Sequence, residues 1–298
     1  QATLTVYGQE LNSESYAICR SDMMLKGQNA TNIKVGNSLK SFQPDDENDQ
    51  GDQHPNERFD YLLANPPFGV EWKKVADSVK AEHESLGFAG RYGAGLPRIN
   101  DGSFLFLQHM VSKMRSATQG GGRLAIVFNG SPLFTGAAGS GESEIRRWII
   151  EHDWLEAVVA LPDQLFYNTG ISTYFWIVTN RKSLNRKGKV QLIDARRRFT
   201  KMRKSLGEKR TEVSDAQIAE IPPLRRLRSA AERAKRGEGQ DLPQRKLRLP
   251  EDHRRATAAP RVGGDRRVRR RAASRQEAER AHRRATRRTG RTRPRTRS

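Results

Sequence analysis

Asn65-Pro66-Pro67-Phe68 is the stretch whose residue types and spacing best suit chemistry. It ends an apolar run, residues 59–64 (FDYLLA), at a rigid polar turn. Two consecutive prolines fix φ and remove two backbone donors, and a residue preceding proline is pushed toward extended conformations. Asn65 is therefore expected at the carboxyl end of a strand, where open α/β sheets place their ligand sites. The Asn65 side-chain oxygen and the Pro66 carbonyl are two hydrogen-bond acceptors, and an exocyclic amine has two hydrogens to donate. Engaging both would keep the nitrogen lone pair aimed at an incoming methyl group, a matter of positioning and electrostatic preorganisation. Phe68 offers a flat apolar face on which a flipped base can stack. A bare Asn-Pro-Pro is more often a strand-ending turn. The apolar strand before it and the aromatic after it favour the chemical reading.

The elements that must position this turn are legible as alternating patterns. Residues 3–7 (TLTVY), 33–35, 59–64, 124–128 (LAIVF), 155–161 and 173–179 (TYFWIVT) read as strands. Residues 14–26, 102–114 and 143–151 carry apolar side chains at helical spacing. LAIVF is continuous enough to be buried on both faces. Alternation of this kind implies an α/β fold with a parallel or mixed sheet and helices on both faces.

Composition divides the 298 residues in two. Residues 222–298 hold 27 basic against 8 acidic side chains, which supplies 19 of the net charge of +21. Residues 1–221 hold 28 basic and 26 acidic ones. The tail has no Phe, Tyr, Trp, Ile, Met, Asn or Cys, so it cannot bury enough apolar surface to offset its ordering entropy. It reads as a disordered Arg-rich tail or a phosphate-gripping arm, and its composition is also that of a GC-rich gene translated out of frame. The globular expectations therefore concern residues 1–221. The single cysteine, Cys19, excludes a disulfide framework and fits a reducing, cytoplasmic compartment. No apolar run is long enough to span a membrane. The first residue is Gln, and the expectation is a chain that begins within a longer gene product. His54, His83, His109 and His152 lack metal-ligand spacing; His109, in an apolar helix, reads as a core residue. The glycines of GAAGSGES (136–143) precede a helix but lack the lysine of a phosphate loop, and the segment reads as a flexible loop near nucleic acid.

Asn-Pro-Pro-Phe resembles the motif of amino-methyltransferases that act on adenine N6, cytosine N4 or glutamine N5, and Asn with Phe suits the adenine group best. The flanking blocks, among them GQELNSESYAICRSDMMLKGQNATNIKVGNSL, GAGLPRINDGSFLFLQHMVSKM and GGRLAIVFNGSPLFTG, resemble the modification subunit of type I restriction systems, from about residue 7 to 221. The resemblance implies a Rossmann-like sheet and S-adenosylmethionine as cofactor. It also implies DNA as partner, together with a specificity subunit and a restriction subunit. It makes Asn65, Pro66, Pro67 and Phe68 the catalytic turn. Glu10, in Gly8-Gln9-Glu10, becomes the acceptor for the cofactor ribose hydroxyls, and Asn37, in Gly36-Asn37-Ser38-Leu39, a contact near the cofactor adenine. Phe166, in Leu165-Phe166-Tyr167-Asn168, becomes a second aromatic against the flipped base beside Phe68; a core aromatic is the competing reading. The family's glycine-rich loop has no counterpart in the nine residues before Glu10. The expectation is a partial methyltransferase domain over residues 1–221, holding the acceptor half of the site and part of the cofactor half. Alternatives are a cytosine-N4 or protein-glutamine acceptor, an inactive fragment, or a non-catalytic nucleic-acid binder working through the Arg-rich tail.

Overall fold

The computed structural model describes residues 4–47, 49–167 and 169–221, and the backbone of Leu247 and Arg248. The first strand, β1 (Gly8–Glu10), leads into helix α1 (Ser13–Leu25), and β2 (Ile33–Val35) returns parallel to β1 with Gly8 opposite Ile33 and Glu10 opposite Val35. The start of α1 is capped by Asn12, whose side-chain oxygen accepts from Ser15 N at 2.8 Å. The strand expected at residues 3–7 forms one step later. Residues 4–7 lack regular structure and the ladder begins only at Gly8, while the Tyr7 ring packs on His54 and Phe59 at 5.3 and 5.2 Å; Thr3 lies outside the described residues.

The main sheet starts with β3 (Tyr61–Ala64). Helices α2 (Ala76–Leu86) and α3 (Ser103–Ser112) follow, then β4 (Arg123–Phe128), the short α4 (Ser131–Phe134), and α5 (Gly141–Glu151). Strands β5 (Leu155–Ala160), β6 (Tyr174–Thr179) and β7 (Lys189–Asp194) complete the centre. A hairpin of β8 (Thr200–Leu206) and β9 (Lys209–Glu212), helix α6 (Asp215–Glu220) and the two-residue β10 (Leu247–Arg248) end the described chain. The sheet order is β10-β7-β5-β6-β4-β3. β3 and β4 are parallel, as are β5 and β7; β6 runs antiparallel between β4 and β5. The sheet is therefore mixed, as the alternation of elements allows. The Arg-rich segment falls outside the described residues except for β10, whose backbone pairs antiparallel with β7.

One face of the sheet carries the principal core. Leu124, Ile126 and Phe128 of β4 and Trp176 and Val178 of β6 pack there against Phe104, Leu107 and Met110 of α3 and Ile145 and Ile149 of α5. Phe104, Phe128 and Trp176 meet edge to face at 5.4–6.0 Å, a geometry that adds to their area burial. On the other face, Val159, Leu161, Ile193 and Ala195 cluster with Leu165, Phe166 and Ile221. Coverage of that face is incomplete at β3, where Tyr61 and Leu63 are 66% and 85% exposed. Helix α2 and strand β7 fall outside the expected elements, because each carries a polar side chain at a core position: Glu82 in α2 and Gln191 in β7 are both buried.

Glu82 belongs to a buried ionic clamp. Arg91 donates from Nε to Glu82 Oε1 and Oε2 at 3.0 and 3.1 Å and from Nη2 to Oε2 at 2.6 Å. The same guanidinium donates to the carbonyls of Ser38 and Leu39 at 2.8 and 3.2 Å and to His109 Nδ1 at 3.2 Å. Arg91 can only donate, so His109 is neutral with its proton on Nε2. Burial works to raise the Glu82 carboxyl, and the hydrogen bonds and charge of Arg91 overcome it, leaving it below its ordinary value. Burial, with the nearby Arg91 charge, pushes His109 down to about 3. A second buried pair, Lys113 with Asp52 at 2.5 Å, stands beside it.

His109 binds its proton in the unfolded chain below about 6.5 but in the folded chain only near 3. Its contribution to stability is full above pH 6.5 and is lost as pH falls toward 3. A one-proton difference corresponds to about 1.4 kcal/mol per pH unit. Urea unfolding between pH 7 and 5 should show stability declining with acid, and His109→Gln should flatten that slope by about one proton; an unchanged slope would contradict a neutral buried imidazole.

Candidate active site

Asn65 immediately follows β3. Ala64 pairs with Ile126 in parallel register, so Asn65 leaves the sheet at the carboxyl end of β3. Asn65 is exposed, Pro66 buried, Pro67 exposed and Phe68 half-buried. Neither the Asn65 side chain nor the Pro66 carbonyl makes a hydrogen bond with a described residue. Both acceptors proposed for an amine are thus unspent. Past Phe68, Gly69 takes φ +61°, and the chain is fastened to residues 98–102. Gly102 N donates to Val70 O at 3.0 Å, Trp72 N to Ile99 O at 3.0 Å and the Trp72 indole N–H to Arg98 O at 2.9 Å. The turn is held on both sides while its functional groups stay open.

The strand directions bring further loops to the same edge. Phe128 of β4 and Ala160 of β5 both stand opposite Tyr174, and Ala160 stands opposite Asp194 of β7. The carboxyl ends of β3, β4, β5 and β7 and the amino end of β6 therefore share one edge. Phe166 lies there, half-buried and packed against the Val159–Ile193 cluster, the surroundings of a core aromatic. Its neighbour Tyr167 is the exposed ring, with Lys209 Nζ 5.0 Å from its centroid. Phe134, 79% exposed, and Tyr174 flank Gly130 just past β4: a Cβ there would meet their rings at 3.7–3.9 Å. Tyr167, Phe134 and Tyr174 were not singled out from the sequence. Their only signal is a position just beyond, or at, a strand end. Asn168 lies outside the described residues.

Glu10 and Asn37 come together as a second group, at the carboxyl ends of the paired β1 and β2. One oxygen of Glu10, Oε1, accepts from Asn12 N at 2.8 Å at the entrance to α1; the other, Oε2, makes no hydrogen bond with a described residue. Asn37 closes an Asx turn, its Oδ1 accepting from Leu39 N at 3.0 Å, while its backbone N–H donates to Asp49 at 3.0 Å. Its side-chain NH2 remains free among the described residues. Gly36 and Gly51 make this loop possible. A Cβ at Gly36 would lie 2.7 Å from Gly51 O, and one at Gly51 would lie 2.2 Å from Ser41 O. No hydrogen bond, ion pair or ring contact joins this group directly to the Asn65 turn among the described residues. The link is the Arg91 clamp, which grips residues 38 and 39 after Asn37 and Glu82 of α2, the helix that follows the Asn65–Phe68 turn. A cavity of about 480 Å³ lies elsewhere, lined by Phe88, Lys113, Trp148 and Trp154, and none of the sequence-derived site residues borders it.

Comparison with known proteins gives the family to which the chain belongs. The family model described as N-6 DNA Methylase matches residues 1–232. This chain belongs to the N-6 DNA methylase family. It is 33% identical over 195 residues to the HindI methylase subunit of a type I restriction enzyme from Haemophilus influenzae, covering 65% of this chain and 38% of that one. It is 28% identical over 194 residues to the MjaIX methylase subunit from Methanocaldococcus jannaschii, covering 65% and 31%. Its fold is similar to that of a type I restriction-modification methyltransferase subunit from Streptococcus thermophilus, with a TM-score of 0.55, 27% identity and 72% and 40% of the two chains covered. The matched region thus spans about a third of the length of these curated relatives. In this family member, every described helix is too short or too polar to cross a membrane.

Gly51, at φ +73° with backbone oxygens crowding its Cβ position, should tolerate no side chain. Gly51→Ala is expected to destabilise the chain by clearly more than the roughly 1 kcal/mol of a left-handed alanine alone. Gly27→Ala, at φ +66° with nothing within 4 Å of its Cβ position, serves as the reference. Urea midpoints of the two variants make the comparison, and equal midpoints would show that the Gly51 loop can relax.

Proposed function

We propose that this chain supplies the acceptor pocket and part of the cofactor site of a type I modification subunit that methylates adenine N6 in DNA. The observation that carries this reading is the Asn65 side chain, exposed and, among the described residues, unpartnered at the end of β3 in a chain of the N-6 DNA methylase family. The names of the relatives, all methylase subunits of type I restriction enzymes, support the rest. In this reading the chain works beside a specificity subunit and a restriction subunit, in the reducing cytoplasm where an exposed free thiol such as Cys19 persists.

The chemistry assigned to the residues is positional. Asn65 Oδ1 and Pro66 O accept the two hydrogens of the adenine amine, which turns the nitrogen lone pair away from them. Both are dipolar acceptors, so their bonds strengthen as the nitrogen becomes positive during transfer. Extrusion of the base removes it from the duplex stack, and Phe68, with Phe134 or Tyr174 across the edge, provides faces for it. The half-buried Phe166 serves instead by supporting the loop that carries Tyr167. S-adenosylmethionine, when bound, supplies an electrophilic methyl group on a sulfonium sulfur. The donor set at β1 and β2 suits its adenosyl part: the free Glu10 oxygen can take a ribose hydroxyl, and the free Asn37 amide can meet an adenine nitrogen.

Two measurements test the reading on the intact gene product. Asn65→Ala should lower methyl transfer to DNA on the order of 10²–10³-fold, the scale of losing one preorganised hydrogen-bonding group, with S-adenosylmethionine affinity retained. Undiminished transfer would remove Asn65 from the mechanism, and a product methylated at cytosine N4 or on protein glutamine would overturn adenine as acceptor. Glu10→Gln should weaken S-adenosylmethionine binding about tenfold or more in calorimetry, the worth of a charge-assisted hydrogen bond. An unchanged affinity would remove Glu10 from the cofactor site.

A further inference from the structure

Positive charge in the described chain is segregated. Residues 196–210 carry eight basic side chains and one acidic one, whereas the rest of residues 1–221 carries 20 basic and 25 acidic. Most of this charge lies on the β8–β9 hairpin. Arg196 is paired with Asp194 at 2.7 Å and Arg198 with Glu220, and Lys209 sits over the Tyr167 ring. Lys201, Arg203, Lys204 and Arg210 are exposed, and their side chains make no hydrogen bond or ion pair with a described residue.

A lone two-stranded hairpin is marginally stable in water, but this one is fastened. Glu208 N donates to Tyr167 O at 3.0 Å, Arg210 N to Gln164 O at 2.9 Å, and Thr211 Oγ1 to Asp163 O at 2.8 Å. The fit at its tip excludes a side chain, because a Cβ at Gly207 would stand 2.8 Å from Tyr167 O. The anchoring loop joins β5 to β6 at the edge that carries Asn65. Three inter-strand steps separate β5 from β3, about 14 Å at the usual strand spacing. That matches about four base-pair rises of 3.4 Å.

We propose that the β8–β9 hairpin is a rigid phosphate-gripping arm that holds the DNA backbone a few nucleotides from the base presented to Asn65. The placement rests on the DNA reading given above. The four free cations are a solvated surface in the unliganded protein and become counter-charges when phosphates replace their condensed ions. Such contacts position the nucleic acid without reading sequence, which suits a hairpin set in a domain whose other residues up to 221 carry a small excess of acidic side chains.

Lysine acetylation of the full chain, read by mass spectrometry with and without a DNA duplex, locates the contact independently of the Arg-rich tail. Lys201 and Lys204 should be protected severalfold by DNA, whereas the exposed Lys80 and Lys187 should not. Arg203→Gln with Lys204→Gln should reduce the slope of log affinity against log salt by about 2, at roughly 0.9 per phosphate contact. The pair Lys80→Gln with Lys187→Gln should leave it unchanged. Equal acetylation of Lys201 and Lys204 with and without DNA, or an unaltered slope in the hairpin variant, would overturn the arm. Protection is read without methyl transfer, so a failure of the Asn65 experiment leaves this result separately interpretable.

Discussion

The Arg91–Glu82 clamp is the interaction on which the arrangement of the site depends. It is a bidentate pair inside the fold, with side chains only 11% and 6% exposed, and its spare donors end on the backbone of residues 38 and 39 and on His109. Desolvating two charges is costly, and the attraction repays it only where the remaining donors and acceptors are also satisfied. Here Ser41 donates to the second Glu82 oxygen at 2.8 Å, and Tyr92 OH donates to Leu39 O at 2.9 Å. A hydrophobic replacement of equal volume would fill the space but would not fix the loop after Asn37. The specificity of those hydrogen bonds is what joins the β1–β2 pair to α2 and α3.

That junction matters because the two candidate groups lie on different elements. Glu10 and Asn37 belong to a two-stranded sheet, and Asn65–Phe68 ends the edge strand of a six-stranded one. A transfer reaction demands reacting atoms within a few tenths of an ångström of their productive placement. Flexible connections between the two sheets would spread that distance over many values. Buried ion pairs, aromatic contacts of Tyr7 with His54 and Phe59, and the Trp72 indole bond to Arg98 replace such flexibility with discrete fastenings. Among the described residues, the Asn65 amide, one Glu10 oxygen, the Asn37 side-chain NH2 and four cations of the hairpin are among the groups left without a hydrogen bond.

Much of this was legible in the sequence because local rules suffice for it. Proline geometry alone places Asn65 at a strand end, continuous apolar runs identify β4 and β5, and helical spacing identifies α3 and α5. Other elements depend on contacts distant in sequence. Helix α2 hides behind Glu82 and strand β7 behind Gln191, polar residues whose burial is stabilised by partners distant in sequence. β1 begins at Gly8, after residues 4–7, and Tyr7 packs on His54 and Phe59 instead. Phe166 and Tyr167 are adjacent aromatics that a sequence cannot rank; the fold packs the first, half-buried, against Val159 and Ile193 and leaves the second exposed.

The sequence by itself determined the chemistry available, an amide and a carbonyl fixed by two prolines, since covalent geometry travels with the residues. It also determined, through several ordered blocks, the family to which the chain belongs. Only the tertiary structure decided which acceptors stay free, which aromatics line the edge, and that the basic hairpin is moored beside it. Those outcomes depend on pairings between residues tens of positions apart, and such pairings are settled by burial and hydrogen-bond satisfaction across the whole fold.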